Sequence, residues 1–355
     1  MSERLSPAVM PATAAGLLVP GPAGIAVPLA GAVIDPVRRV ATALITHAHS
    51  DHARAGHGTV IATAETLALM EARLGARFAG ARQAVRCGEP FRLGDAVVTF
   101  FPAGHVLGSA QILIEAGGFR AVVSGDYKRQ ADPTCAPFRP VACDLFVTEA
   151  TFALPVFRHP PVAGEIARLL QSRARFPGRA HVVAAYALGK TQRVIAELRA
   201  AGYGRPVFLH PAMMAMCAVY RAAGVDLGPL AERRGDDGAD LAGEIVIAPP
   251  SGLSPQWAQG LADPLVAVAS GWVRALSHAR QRGAELPLVI SDHAGWDELT
   301  ATIAETGARA VWVTHGAPEA LVHWCTARGI AACALPAGPA RAPDADGPAA
   351  DRDAA

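Results

Sequence analysis

Six short apolar runs in this chain each end on an ionisable side chain. They are "ATALITH" at His47, "VVTFFPAGH" at His105, "RAVVSGD" at Asp126, "CDLFVTE" at Glu149, "LPLVISDH" at His293 and "RAVWVTH" at His315. Runs of this length, rich in β-branched and apolar residues and bounded by Gly or Pro, predict buried strands. The ionisable residues then fall at strand ends. Strands that share a sheet bring such ends to one edge, where loops on a rigid scaffold carry chemistry.

Between Phe157 and Leu286 the texture changes. "VAGEIARLLQSRARF" and "KTQRVIAELRAAG" have helical periodicity, whereas "HVVAAYAL", "RPVFLH", "GEIVIAPP" and "PLVAVASGW" read as strands. This alternation predicts a separate α/β unit inserted into the first fold. The predicted organisation is a first domain over 1–156, the insertion over 157–286, a return to the first domain over 287–335, and a disordered Pro/Ala/Asp-rich tail over 336–355. No charge occurs from Pro11 to Ile34, but Pro20, Pro22 and Pro28 with four glycines interrupt any spanning helix, and Met-Ser-Glu-Arg is not a basic leader. Short opening strands are expected there, and no membrane partner.

Composition narrows the picture only a little. Hydrophobic residues make up 51% and charged residues 18%, the balance of a globular chain. A net charge of +1 means that a polyanion must be held by a local patch rather than by the field of the whole protein. The six cysteines form no C-x-x-C pair and lie in or beside apolar runs, which predicts thiols in a reducing, cytoplasmic compartment.

The densest chemistry is "HAHSDH". His47 and His49, two apart, can face one way in an extended segment, and Asp51 and His52 follow on the next turn. Imidazoles and a carboxylate suit zinc or a similar divalent ion. His57 fits no position in this pattern and reads as a structural residue.

H-x-H-x-D-H after a strand resembles the signature of the metallo-β-lactamase fold, an αβ/βα sandwich with metals along one edge. "PAGHVLGSAQ" with His105 and "VSGDYKR" with Asp126 follow in the family's order. "VTEATFALP" (Glu149), "ISDHAGWDEL" (His293) and "VWVTHGAPEAL" (His315) resemble motifs A, B and C of the β-CASP nucleases, whose cap domain is inserted where the α/β segment lies. The resemblance implies two divalent metal ions, zinc with manganese as the alternative. His47, His49, His105 and Asp126 would hold one, and Asp51, His52, Asp126 and His315 the other. It implies Asp51, Glu149 and His293 as catalytic residues, with Glu149 orienting His293 as general acid.

The wording "GDYKRQADPTCAPFRPVACDLFVTEATFALPVFRHP" is most similar to bacterial exonucleases associated with ATP-dependent DNA ligases. That implies a DNA exonuclease of DNA repair, with nucleic acid as partner and a functional link to such a ligase. His315 pulls the other way: DNA-acting eukaryotic members of the branch have Val at motif C, where RNA-processing members have His. A thioester or lactone hydrolase of the same fold shares His47 to Asp126 but does not call for the insertion or the Glu149/His293 pair. A non-enzymatic subunit is disfavoured, because no expected ligand is missing.

"AAYALGKTQR" ends like a nucleotide-binding P-loop, but Ala184 stands where the first Gly is required, so no nucleotide cofactor is expected. Lys190 and Arg193, at the start of the predicted helix, are candidate contacts to a nucleic-acid backbone. Lys128, Arg129 and Arg158 are further candidates for phosphate contact.

Overall fold

The computed structural model describes residues 16–234, 241–261, 263–274 and 284–335; the predicted tail over 336–355 lies outside them. The chain divides into two compact units. Of the described residues, the first comprises 16–131, 135–158 and 293–335; the second holds 132–134 and those between 159 and 292.

Two sheets build the first unit. One runs β1 (Val19–Gly21), β2 (Gly24–Val27), β3 (Ala32–Ile34), β4 (Thr42–Leu44), β5 (His57–Thr63) and β6 (Ala79–Val85), in that order. Its first three strands are antiparallel and the rest parallel. The other sheet contains β7 (Phe91–Leu93), β8 (Ala96–Pro102), β9 (Ala110–Ala116), β10 (Phe119–Val123), β11 (Leu145–Glu149), β18 (Ala310–Thr314) and β19 (Ala331–Ala334). Its spatial order is β19-β18-β11-β10-β9-β8-β7.

Side-chain alternation along the second sheet decides what lies on each face. Ile112, Ile114, Ala121, Val123, Leu145, Val147 and Trp312 face Leu44, Ile61 and Ile34 of the first sheet. Their neighbours Leu113, Val122, Phe146, Val311 and Val313 pack on the opposite face against Leu299 and Ile303 of helix Trp296–Thr306 and Leu321 and Cys325 of helix Glu319–Thr326. A period of two is what places adjacent residues in different cores. Helix Ala64–Leu74 joins β5 to β6, with Thr63 Oγ1 accepting the Thr66 N–H at its start. Two stacked sheets with outer helices form the αβ/βα sandwich that the family resemblance implied.

The second unit has one parallel sheet in the order β14 (Leu230–Glu232), β13 (Val207–Leu209), β15 (Ile245–Ala248), β12 (His181–Ala184), β16 (Leu265–Ala269), β17 (Leu286–Leu288). Helices Val162–Arg175, Lys190–Ala200 and Met214–Ala222 alternate with its strands. The run "LPLVISDH" differs from its expectation here. Its strand, β17, pairs with β16 in this sheet rather than with the first unit, and the passage back falls at Asp292–His293.

Candidate metal centre

Four loops at strand ends of the first unit supply the candidate ligands. Beyond β4, the Ile45 N–H still pairs with the Ile61 carbonyl, and the Ala110 N–H donates to the Thr46 carbonyl, tying the end of one sheet to β9 of the other. His47 follows at once. The His52 and Ala53 N–H groups both donate to the His49 carbonyl, so the chain makes one helical turn that carries Asp51 and His52. After β8, Ser109 Oγ accepts the N–H groups of His105 and Val106, which fixes the His105 turn. After β10, Gly125 adopts φ 57° directly against Thr46; a Cβ there would lie 2.7 Å from the Thr46 side chain. Asp126 is thereby delivered to the same edge.

The imidazoles and carboxylates converge. One ligand atom from each of His47, His49, His105 and Asp126 lies within 4.8 Å of the others, and the same holds for His47, Asp51 and His52 and for His52, Asp126 and His315. Asp126 Oδ2 stands 3.5 Å from His47 Nε2, 3.3 Å from His52 Nε2 and 4.0 Å from His105 Nε2. It is therefore common to both groups. His105 Nε2 and His49 Nδ1 are 3.0 Å apart. His315 follows β18 with φ 58°, a left-handed conformation that non-glycine residues adopt at a cost.

Hydrogen bonding on the far side of two rings settles which nitrogen faces inward. Thr46 Oγ1 donates to Asp35 Oδ2 at 2.6 Å and so accepts from His47 Nδ1 at 3.0 Å. His52 Nδ1 donates to the same Asp35 oxygen at 2.7 Å, while Asp35 Oδ1 accepts the Thr46 N–H at 2.8 Å. Both Nδ1 atoms therefore carry protons, and both Nε2 lone pairs point into the cluster. These two Nε2 atoms are buried with no hydrogen-bond partner. Nitrogen and oxygen donors spaced about 3.3–3.4 Å apart are what bonds of 2.0–2.1 Å to a tetrahedral cation require. Orphaned lone pairs at that spacing, with a carboxylate behind the rings, fit divalent metal ions.

Electrostatics differ between the two rings, favouring the neutral form at His47 and, with no cation bound, the charged form at His52. Burial, then the neighbouring His52 and His105, holds His47 well below the usual imidazole range, so it stays neutral and able to ligate. Burial also opposes charge on His52, but Asp126, Asp51 and Asp35 outweigh it and push this imidazole up. Burial works against the Asp126 carboxylate too, yet His52, His293 and His47 keep it well below the carboxylate range.

Beside the cluster, His293 Nδ1 is 2.8 Å from Glu149 Oε2, and the Tyr127 N–H donates to Glu149 Oε1 at 2.8 Å. Glu149 is fully buried, and the His293 ring centroid lies 4.7 Å from that of His105. The parallel register Glu149↔Thr314 between β11 and β18 sets Glu149 and His315 at neighbouring strand ends. The helix after His293 begins at Trp296, following Gly295.

Several readings of the cationic residues need correction. Lys190 and Arg193 are fully buried: Lys190 Nζ is 2.9 Å from Asp292, and Arg193 lies 3.5 Å from Asp132 and 3.6 Å from Asp292. Ammonium and guanidinium groups committed to internal carboxylates are not a surface for a phosphate backbone. Lys128 is buried as well, its Nζ 3.4 Å from the His105 carbonyl, and Arg129 is paired with Glu305. Arg158 alone of these is exposed, paired with Asp297. His57 stays apart from the ligand groups, buried in β5, with Nδ1 accepting the Val40 N–H at 3.3 Å.

Asp35 went unrecognised in the sequence. Its signal was there: "GAVID" is another apolar run ending on an ionisable residue, of the same form as the six that were read.

This fold and edge define a metallo-β-lactamase superfamily domain, and residues 19–183 match the family model described as "Beta-lactamase superfamily domain". Among curated relatives, a "Probable DNA ligase" of Opitutus terrae is 30% identical over 300 residues, covering 82% of this chain and 28% of that protein. The "Endoribonuclease ysh1" of Aspergillus fumigatus is 33% identical over 103 residues, 28% of this chain and 12% of that one. "Cleavage and polyadenylation specificity factor subunit 3" of Dictyostelium discoideum is 32% identical over 109 residues, 28% and 13% respectively. The chain thus spans well under a third of each of these relatives.

Proposed function

We propose that this protein is a metal-dependent phosphodiesterase that hydrolyses nucleic acid, a β-CASP nuclease acting as a DNA exonuclease in repair and functionally linked to an ATP-dependent DNA ligase. The observation that carries the reading is the juxtaposition of the ligand groups around Asp126 with the Glu149–His293 pair. A thioesterase or lactonase has use for the first but not the second.

Two divalent cations, zinc or manganese, held by His47, His49, His105 and Asp126 and by Asp51, His52, Asp126 and His315, would supply polarisation of the phosphate and activation of water. The chain's own groups do the rest. Asp51, half-buried with Oδ2 3.5 Å from His52 Nε2, is placed to accept the proton of the attacking water. His293 donates through Nδ1 to Glu149, which leaves Nε2 as the atom that gives a proton to the departing oxygen. Glu149, held by the Tyr127 N–H, fixes the ring angle, and the imidazole gives up its Nε2 proton from the doubly protonated form.

DNA is favoured because the 300-residue similarity, which crosses both units, is to a protein named as a DNA ligase. His315 and the relatives named as endoribonucleases favour RNA as the second reading. A cytoplasmic setting accompanies either, supported by six cysteines that all stand as free thiols.

End-labelled single- and double-stranded DNA and RNA, incubated with Zn²⁺ or Mn²⁺, test the proposal beside a His49→Ala variant. Stepwise shortening of DNA, abolished in the variant, is expected. RNA cleavage in place of DNA cleavage moves the assignment to RNA processing, and equal activity in the variant means a different site.

A further inference from the structure

Helix Lys190–Ala200 opens on two cations whose side chains are 0% and 1% exposed, and both grip the stretch of chain that leads into His293. Lys190 Nζ donates to the Ile290 carbonyl at 3.0 Å and stands 2.9 Å from Asp292 Oδ2. Arg193 donates to the Ser291 carbonyl and lies 3.6 Å from Asp292 Oδ1, while its Nε is 3.5 Å from Asp132 Oδ2. Three successive residues, Ile290, Ser291 and Asp292, are thus tied to one helix end immediately before His293. On the far side of His293, the Ala294 N–H donates to the Tyr127 carbonyl at 2.7 Å.

Burying four charges is not an economical way to stabilise a fold, since apolar residues of the same volume commonly do as well or better. What such a cluster gives is directional hydrogen bonding that admits one backbone position. We propose that Lys190 and Arg193 are positioning residues for His293. They fix its backbone from upstream so that, with Glu149 holding Nδ1, the imidazole presents Nε2 at one place. The geometric part of this inference rests on the contacts alone, and its consequence for turnover rests on the nuclease reading.

The double variant Lys190→Met/Asp292→Leu replaces the ion pair with apolar groups of similar size, which should preserve folding. Hydrogen–deuterium exchange is expected to rise about tenfold or more in peptides covering 288–296 and to stay at the parent rate over 42–63, with bound metal unchanged. On a cleavable oligonucleotide, kcat should fall up to about 100-fold with KM little altered, the usual cost of an ångström-scale misplacement. Lys190→Arg, which keeps the charge, should recover part of both effects.

Exchange over 288–296 that stays at the parent rate in the folded, metal-loaded double variant overturns the proposal. So does a kcat equal to that of the parent. Should the double variant not fold, Arg193→Lys serves instead: it keeps the charge but loses the fork that spans Ser291, Asp292 and Asp132, and the same local rise in exchange is required. A parent protein that binds metal but cleaves no oligonucleotide counts against the nuclease reading, while the exchange result still decides the positioning role.

Discussion

His47 and His52 present Nε2 to the cluster for one shared reason, the Asp35 carboxylate behind them. It takes the His52 Nδ1 proton directly and the His47 Nδ1 proton through Thr46. Asp35→Ala is therefore expected to weaken metal binding about 10–100-fold without removing a ligand, measured by competition with a chromogenic chelator. His293→Ala should slow turnover and leave metal content intact; loss of metal in that variant would overturn its role as proton donor. His57 marks the opposite case, a histidine that sequence reading set aside from the pattern and that the fold buries. Burial holds its pKa below the usual 6.5, and protonating Nδ1 would destroy the acceptor of the Val40 N–H. Between the folded and unfolded values the unfolded chain binds more protons, so this contribution is fully present above about pH 6.5 and is lost as pH falls through the depressed folded value. Urea midpoints measured from pH 8 to 5 should fall less steeply in His57→Gln.

At the scale of elements, each ligand is delivered by a strand end followed by a tight loop, and the loop decides where the side chain points. Gly316, with φ 71°, follows His315 so closely beneath β11 that a Cβ would fall onto the Ala150 carbonyl. Gly316→Ala must shift this turn. A loss of about 1–3 kcal/mol in stability is expected together with weaker binding at the His315 side of the site, read by denaturation with and without metal. Strands were legible because buried strands need continuous apolar runs, and five of the six runs that end on a site residue lie in strands of the first unit's two sheets. The sixth, β17, has the same composition but pairs in the other unit. An apolar run states that a strand is buried, not which sheet buries it.

For the whole molecule, candidate ligands drawn from loops spread over residues 47–315 would close a long stretch of chain on binding metal. Chelation should therefore lower the melting temperature, and re-addition at a hundred times the dissociation constant should return about 2.7 kcal/mol. With a net charge of +1 and Lys190 and Arg193 committed internally, affinity for an oligonucleotide would, on the nuclease reading, depend on exposed arginines and on bound cations. Lys190→Met should accordingly leave the slope of log affinity against log salt at the parent value, because no phosphate contact is removed.

The sequence by itself determined the side-chain types at the candidate site, their order and their places at strand ends, because burial fixes hydrophobic runs and the ionisable residues stand where those runs stop. Tertiary structure decided what no local pattern carries: that Asp126 Oδ2 faces three imidazoles, that Asp35 sets two tautomers, and that Lys190 and Arg193 face inward. Those outcomes depend on distances between residues far apart in the chain, which come into being only when the sheets pack.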